Sequence, residues 1–443
     1  MSRLKKDVQL TLLSRIPVML LSFLSVVFLT RLLGPAGNGV YTFTFAVLNL
    51  FFTIVGFQLD TSLMVFLAKE KDQNAAVFSA VGILALLTVV VFGVLLTLAV
   101  FVLPGVEQWI IPPGQPTIFF FIFLLLAFFL RRITTLMQAT LRGKFKFKSF
   151  NAFVVISQVI PASVYGVLLL RQIPGNQVLP VLDGLRIILL IETILAVFSI
   201  ILVLRNHIVV FSKDFKKLVP PIAHLSYNSL LSAVGHFLNK RLDVWFVQFY
   251  RGTSALGQYG LATQIANFIS DAMTPFNQVL IPYVAEASPA EHNEIVERSA
   301  RLNFSLATIA AVLILTTSWL FVPVLFGHAF HDAIAATQIL AISVIFISQR
   351  LVFTGYFKAI NQMRYPVRAA WAGVLITIVL DILLIPGYGI LGASIATTFA
   401  YLTSSGYLII MAQRKLGFHM TDIMMLRKSD ITWLLSRGKT VEH

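Results

Sequence analysis

The chain has 443 residues, of which 58% are hydrophobic and 12% charged, about half the charged share of an ordinary soluble protein. With a mean hydropathy of +0.86, it has too few charges to cover a water-soluble surface, and its apolar residues fall in long continuous runs. The reading is a polytopic membrane protein built from helices, because a barrel strand would alternate with period two. The absence of cysteine excludes disulfides, thiolate metal sites and thiol nucleophiles. No two of the eight histidines have zinc-motif spacing. The net charge of +15 is the excess that cytoplasmic loops of such a protein carry, and is not read as a nucleic-acid surface. No cleavable leader is expected, since the first apolar run is long and carries Arg15 and Pro17.

In chain order, the spans fall at about 8–32, 40–68, 76–103, 117–139, 150–170, 183–204, 222–250, 257–284, 300–326, 333–357, 368–386 and 389–412, each near or above the ~20 residues that cross a bilayer. Pro17, Pro161 and Pro275 lie inside segments as candidate kinks. With the N-terminus inside, the cytoplasmic parts hold 25 of the 34 basic residues, and the opposite loops hold only Arg31, Arg171 and Arg251. That asymmetry predicts both termini in the cytoplasm.

The chain repeats itself. Residues 138–148 after the fourth segment align with 358–368 after the tenth at an offset of 220, matching Ala139 to Ala359, Lys144 to Arg364 and Lys148 to Arg368. The same offset brings Gly37 onto Gly257, and Ile173-Pro174-Gly175 recurs as Ile385-Pro386-Gly387. Two halves of six spans insert the same way round, related by an axis along the membrane normal. The expected fold is therefore all-α, with twelve transmembrane helices in two six-helix lobes: 1–212 as the N-lobe and 213–412 as the C-lobe. Residues 413–443 form a basic amphipathic cytoplasmic tail, expected to lie on the anionic inner leaflet.

Polar residues in the spans mark the candidate site. Ser229, Ser232, His236, Asn239, Lys240 and Asp243 share one helix face, as do Gln264, Asn267, Asp271, Thr274 and Gln278. Thr42, Asn49, Thr53 and Asp60 form a third stripe, and Arg15 and Ser22 lie seven apart. Hydrogen-bonded glue between helices would explain the neutral members. The charged ones call for a wet cavity, since a charge at the bilayer centre costs at least about 2.5–3.5 kcal/mol. Arg15, Lys240, Arg241 and Arg350, with His236 and Asn239, are the expected anion-binding set. Asp60, Asp243 and Asp271 are the expected cavity acids, which could bind H⁺ or Na⁺. Arg131 and Arg132 either snorkel to the interface or face the cavity; Glu192 and Asp381 have no assigned partner. Arginine's planar fork suits phosphate and pyrophosphate.

Two loop motifs then resemble a known family. Arg31-Leu32-Leu33-Gly34-Pro35-Ala36-Gly37-Asn38-Gly39-Val40-Tyr41 is similar to the signature after the first helix of polysaccharide flippases, the Wzx-like branch of the multidrug/oligosaccharidyl-lipid/polysaccharide (MOP) exporter superfamily. Pro386-Gly387-Tyr388-Gly389-Ile390-Leu391-Gly392-Ala393-Ser394-Ile395-Ala396-Thr397 resembles that family's lead into helix 12. The glycines in both read as structural. The resemblance implies a V-shaped pair of lobes around a basic central cavity, working by alternating access in the bacterial inner membrane. It implies an undecaprenyl-pyrophosphate-linked oligosaccharide as substrate, with membrane lipids and glycan-assembly proteins as partners, and no covalent chemistry or cofactor. A drug or cation antiporter of the same superfamily would have an acidic cavity. A membrane-embedded glycosyltransferase or glycan polymerase would need a sizeable acidic outer loop, and the longest here, 103–116, offers only Glu107.

Overall fold

The structure is a computed structural model. It describes residues 2–69, 73–172, 178–206, 212, 215–286, 291–360, 362–427 and 430, without the side chains of 2–16, 172, 228, 232, 275–283, 285 and 286. Thirteen α-helices run along the described chain: α1 (Ser2–Ile54), α2 (Leu59–Lys69), α3 (Asn74–Thr97), α4 (Thr117–Gly143), α5 (Phe147–Gln172), α6 (Val181–Arg205), α7 (Val219–Arg241), α8 (Asp243–Glu286), α9 (His292–Phe326), α10 (Ala333–Ala359), α11 (Arg364–Tyr388), α12 (Ile390–Leu416) and the short α13 (Met420–Met424). Among the described residues there is no strand, and nine helices are long and apolar enough to cross a membrane. The protein is a multi-pass membrane protein. Rows of exposed apolar side chains, such as Ile83, Leu86, Leu87, Val90 and Val94 on α3, are the faces a bilayer would cover.

Helix covers all twelve expected segments, but the helices divide differently. The first and second share α1, which is interrupted at Gly34 (φ 64°, ψ 179°). The seventh runs through α7 into the start of α8, which is interrupted at Gly252 (φ 78°, ψ −178°) before the eighth begins. Extended backbone at positive φ is open essentially to glycine alone, so the same residue type makes the same break in both halves. The offset between them is 218, not the 220 read from Gly37 and Gly257. The true counterpart of Gly257 is Gly39: each packs onto the backbone at the other's break, whereas a β-carbon on Gly37 would meet only Leu33 of its own turn. Across the second break, Gln248 Nε2 donates to Thr253 Oγ1 at 3.0 Å.

The second span is not continuous. Between α1 and α2, residues 55–58 unwind, with Phe57 (φ 55°) and Gln58 (φ 48°) both left-handed. Periodicity is blind to this, because the residues on either side stay apolar.

The chain divides into two compact units: Met1–Gln248 with Gly252–Gly257, and Phe249–Arg251 with Gln258–His443. In the first, α1 packs on α4, α5, α6 and α7, and α2 packs on α3, α4 and α7. Its buried cluster joins Leu59, Leu63 and Leu67 of α2 to Val77 and Val81 of α3, Ala139 and Leu141 of α4, and Ile222 of α7. In the second, α10 packs on α9 and α12, and α12 on α11. Arg251 holds the end of α11, donating from Nε to the Ile385 carbonyl at 3.1 Å and from Nη2 to that of Pro386 at 2.6 Å.

In the tail, α13 packs on α9, Phe418 stacks on Phe353, and Phe418 and Ile423 join the second unit's core, while Met420, Met424, Met425 and Leu426 stay exposed. Asp430, 0% exposed, accepts from Arg301 Nε at 2.7 Å and Nη2 at 3.0 Å. A buried carboxylate cannot be left without a cation, and Arg301 supplies one. The rest of the tail, 431–443, lies outside the described residues.

Candidate functional site in the spanning helices

The expected site residues fall in both units. Of the first unit's set, the side chain of Arg15 lies outside the described residues. Lys240 and Arg241 form the last turn of α7 and are half-buried; Asn239 and Asp243 beside them are buried, and His236 is exposed. Asp60 opens α2, half-buried, and is electrostatically coupled to Arg132 and Arg142. In the second unit, Asp271 is exposed on α8 and Arg350 is half-buried on α10, its guanidinium 5.5 Å from the centre of the Tyr401 ring.

Sequence reasoning missed the most organised constellation. Arg131 and Arg132, consecutive on α4, point to different places. Arg132 does not snorkel: it is 2% exposed, and its Nη2 donates to the Gly56 carbonyl at 2.6 Å, inside the break of the second span. Its guanidinium lies 4.7 Å from the Phe52 ring centre and 5.8 Å from that of Phe128. Two aromatic faces and one freed carbonyl thus hold a buried cation. Arg132 Nε and Nη1 have no hydrogen-bond partner among the described residues.

Arg131 turns instead into a pocket with Glu192 of α6, walled by Phe45, Leu48, Phe123, Ala127, Ile188 and Leu189. The α4 members recur every four residues, so one helix face delivers the base into an apolar slot. Both charges lie near the middle of their helices. Arg131 and Glu192 are electrostatically coupled; the Tyr41 hydroxyl feels both, and also Arg241 of α7. The available signal was two mid-span arginines on α4 and one mid-span acid on α6, which no periodicity argument could pair. In the second unit, Asp381 on α11 is 0% exposed and stands one turn from buried Thr377. Among the described residues no group of three or more histidines and acids could hold a metal.

Repeated halves, glycine breaks at equivalent points and charged side chains within apolar helices characterise the fold. The fold is that of MOP-superfamily transporters. The solved "Lipid II flippase MurJ, inward closed conformation" superposes with a TM-score of 0.71 at 14% identity, covering 98% of this chain and 93% of that one. An inward-facing multidrug resistance MATE family transporter of the MOP superfamily gives 0.69 at 13%, covering 90% and 94%.

A family model described as "Polysaccharide biosynthesis protein" matches residues 4–288, and the chain belongs to that family. A second model, MatE, matches residues 238–383. Among curated proteins, the "Probable low-salt glycan biosynthesis flippase Agl15" of Haloferax volcanii is 25% identical over 395 residues, 86% of this chain and 77% of its own length. The "Uncharacterized membrane protein MJ1068" of Methanocaldococcus jannaschii is 23% identical over 198 residues, 44% of this chain, and the match spans only 38% of that relative's length.

Proposed function

We propose that the protein is a flippase that moves a lipid-linked oligosaccharide across the cytoplasmic membrane by alternating access, with both termini in the cytoplasm. The substrate class is a sugar on a polyprenyl pyrophosphate, with undecaprenyl pyrophosphate in the bacterial inner membrane as the specific expectation. The observation that carries this reading is the placement of basic side chains within the spans of a polysaccharide-biosynthesis family member: Arg131, Arg132, Lys240 and Arg241 all fall in the matched region. Guanidinium and ammonium groups at membrane depth favour a phosphate-bearing headgroup, while the polyprenyl chain is as apolar as lipid. Lys240 and Arg241, with Asn239 and His236 and the α1 residue Arg15, are the proposed headgroup contacts in the first unit; Arg350 is the candidate in the second. Asp60, Asp243 and Asp271 are candidate ion-coupling groups. The MatE match supports a drug or cation antiporter as a second reading, which the basic side chains disfavour.

The test is complementation of strains that lack a defined glycan flippase, with the accumulated lipid-linked intermediate identified. Rescue, and its loss in a Lys240→Ala/Arg241→Ala variant that still reaches the membrane, is expected. Export of a cationic drug with no effect on any lipid-linked intermediate would replace this reading with the second.

A further inference from the structure

Arg131 and Glu192 line one pocket inside the first unit. Its walls offer Phe, Leu, Ile and Ala side chains and a single carboxylate. Hard cations are held by about six oxygens, so a metal ion finds too few ligands here. A proton needs only one. Among the described residues, the charged and titratable groups around Glu192 are Arg131 from α4, Tyr41 from α1 and Tyr165 from α5, with Arg241 of α7 acting on Tyr41. The apolar wall opposes the carboxylate form while the guanidinium supports it. The two effects oppose each other at one carboxyl group.

The pocket also has a mechanical neighbour. The Phe52 ring lies 5.2 Å from the Arg131 guanidinium carbon and 4.7 Å from that of Arg132. Arg132 is bonded to the Gly56 carbonyl, and a β-carbon on Gly56 would stand 1.9 Å from the Phe52 carbonyl oxygen. One residue thus touches the acid–base pair's cation, the latch cation and the backbone of the break.

We infer that Glu192 is a proton-binding site, paired with Arg131 inside the first unit, whose charge is relayed through Phe52 to the break at residues 55–58. A proton from water adds to a Glu192 oxygen and gives a neutral acid; Arg131 keeps its own proton and is left as an uncompensated cation beside Phe52. The inference rests on the transporter reading and names the ion that would drive it.

The test uses the full chain, whose natural lack of cysteine permits a single label. Ile54→Cys, at an exposed position bordering the break, takes an environment-sensitive fluorophore, and the protein is placed in phosphatidylcholine–phosphatidylglycerol vesicles without substrate. Between pH 5 and 9 the parent shows one fluorescence transition. Glu192→Gln abolishes it, and Glu192→Asp retains it. Arg131→Gln moves its midpoint at least about one pH unit toward alkaline, as removal of a neighbouring cation should. A flat parent trace, a transition that survives Glu192→Gln, or an unmoved midpoint in Arg131→Gln overturns the inference. None of these outcomes bears on glycan export, and a failed complementation leaves the titration standing.

Discussion

Gly39 and Gly257 make reciprocal contacts: a β-carbon on Gly39 would stand 1.8 Å from the Thr253 carbonyl oxygen, and one on Gly257 would stand 1.8 Å from that of Pro35. Asn38 adds a buried hydrogen bond from Nδ2 to the Gly257 carbonyl at 2.7 Å. Pro35 follows the Gly34 break and Thr253 follows the Gly252 break, so two helix starts are pressed together at the point where each turns.

Gly39→Ala and Gly257→Ala should each destabilise the protein by about 1–3 kcal/mol, the usual range for overpacking against a backbone that cannot yield. Gly82→Ala on α3, where nothing lies within 4 Å of the added carbon, should be neutral or stabilising by up to about 1 kcal/mol. Thermal unfolding in detergent of the three variants side by side checks the contrast.

Gly56→Ala should disrupt the interrupted second span, because its β-carbon would fall 1.9 Å from the Phe52 carbonyl oxygen and 2.6 Å from Arg132 Nη2. Arg132→Gln removes the cation that satisfies the Gly56 carbonyl, and a buried polar group left unpaired costs about 1–3 kcal/mol. Both variants should lose monodisperse protein on size-exclusion chromatography; Arg186→Gln, at an exposed i,i+3 pair with Asp183, should not.

The tail should stay docked through neutral pH and release on strong acidification. Burial pushes the Asp430 carboxyl up. The hydrogen bonds from Arg301 and the Arg427 amide, with the fields of Arg301 and Arg298, outweigh it and hold the group below the usual carboxylate range. A carboxylate lowered on folding adds stability above its unfolded value of about 3.9 and loses it as pH falls through the folded value. Asp430→Asn or Arg301→Lys should therefore expose 418–430 to limited proteolysis at pH 7, where the parent resists. A parent tail that is cut equally fast at pH 7 and at pH 3 would contradict the docking.

Reporter fusions at Lys146 and Arg364 should report cytoplasm, and those at Gly175 and Gly387 the outside. A reversed pair would overturn the orientation drawn from the basic residues. Gly175 itself lies outside the described residues.

Spans, repeat and family were legible because each is a property of many residues at once: about 20 apolar positions per span, or a motif carried into both halves. The breaks were half legible. Gly34 and Gly252 stand in glycine-bearing loops, but the unwinding at Phe57 and Gln58 occurs in two residues with no preference for left-handed backbone, and only tertiary packing through Arg132 explains it. The partnership of Arg131 with Glu192 joins positions 61 apart, a distance that no helical period encodes. The docking of the tail was hidden for a related reason. Phe418 and Ile423 look the same in sequence whether they meet lipid or protein, and the decisive contact, Asp430 on Arg301, is between residues 129 apart.

The interruption of the second span has a mechanical consequence. Its N-terminal part is clamped at Gly39 to the residues that follow Gly252, whereas its C-terminal part is tied to α7, where Ser62 and Ser226 share a hydrogen bond of 2.8 Å and Ser62 Oγ reaches the Ile222 carbonyl at 3.3 Å. An unbroken rod would have to carry any tilt from one anchor to the other. A jointed one lets each anchor keep its own grip while the chain bends in the middle, so the joint, rather than either end, is where a driving force would need to act.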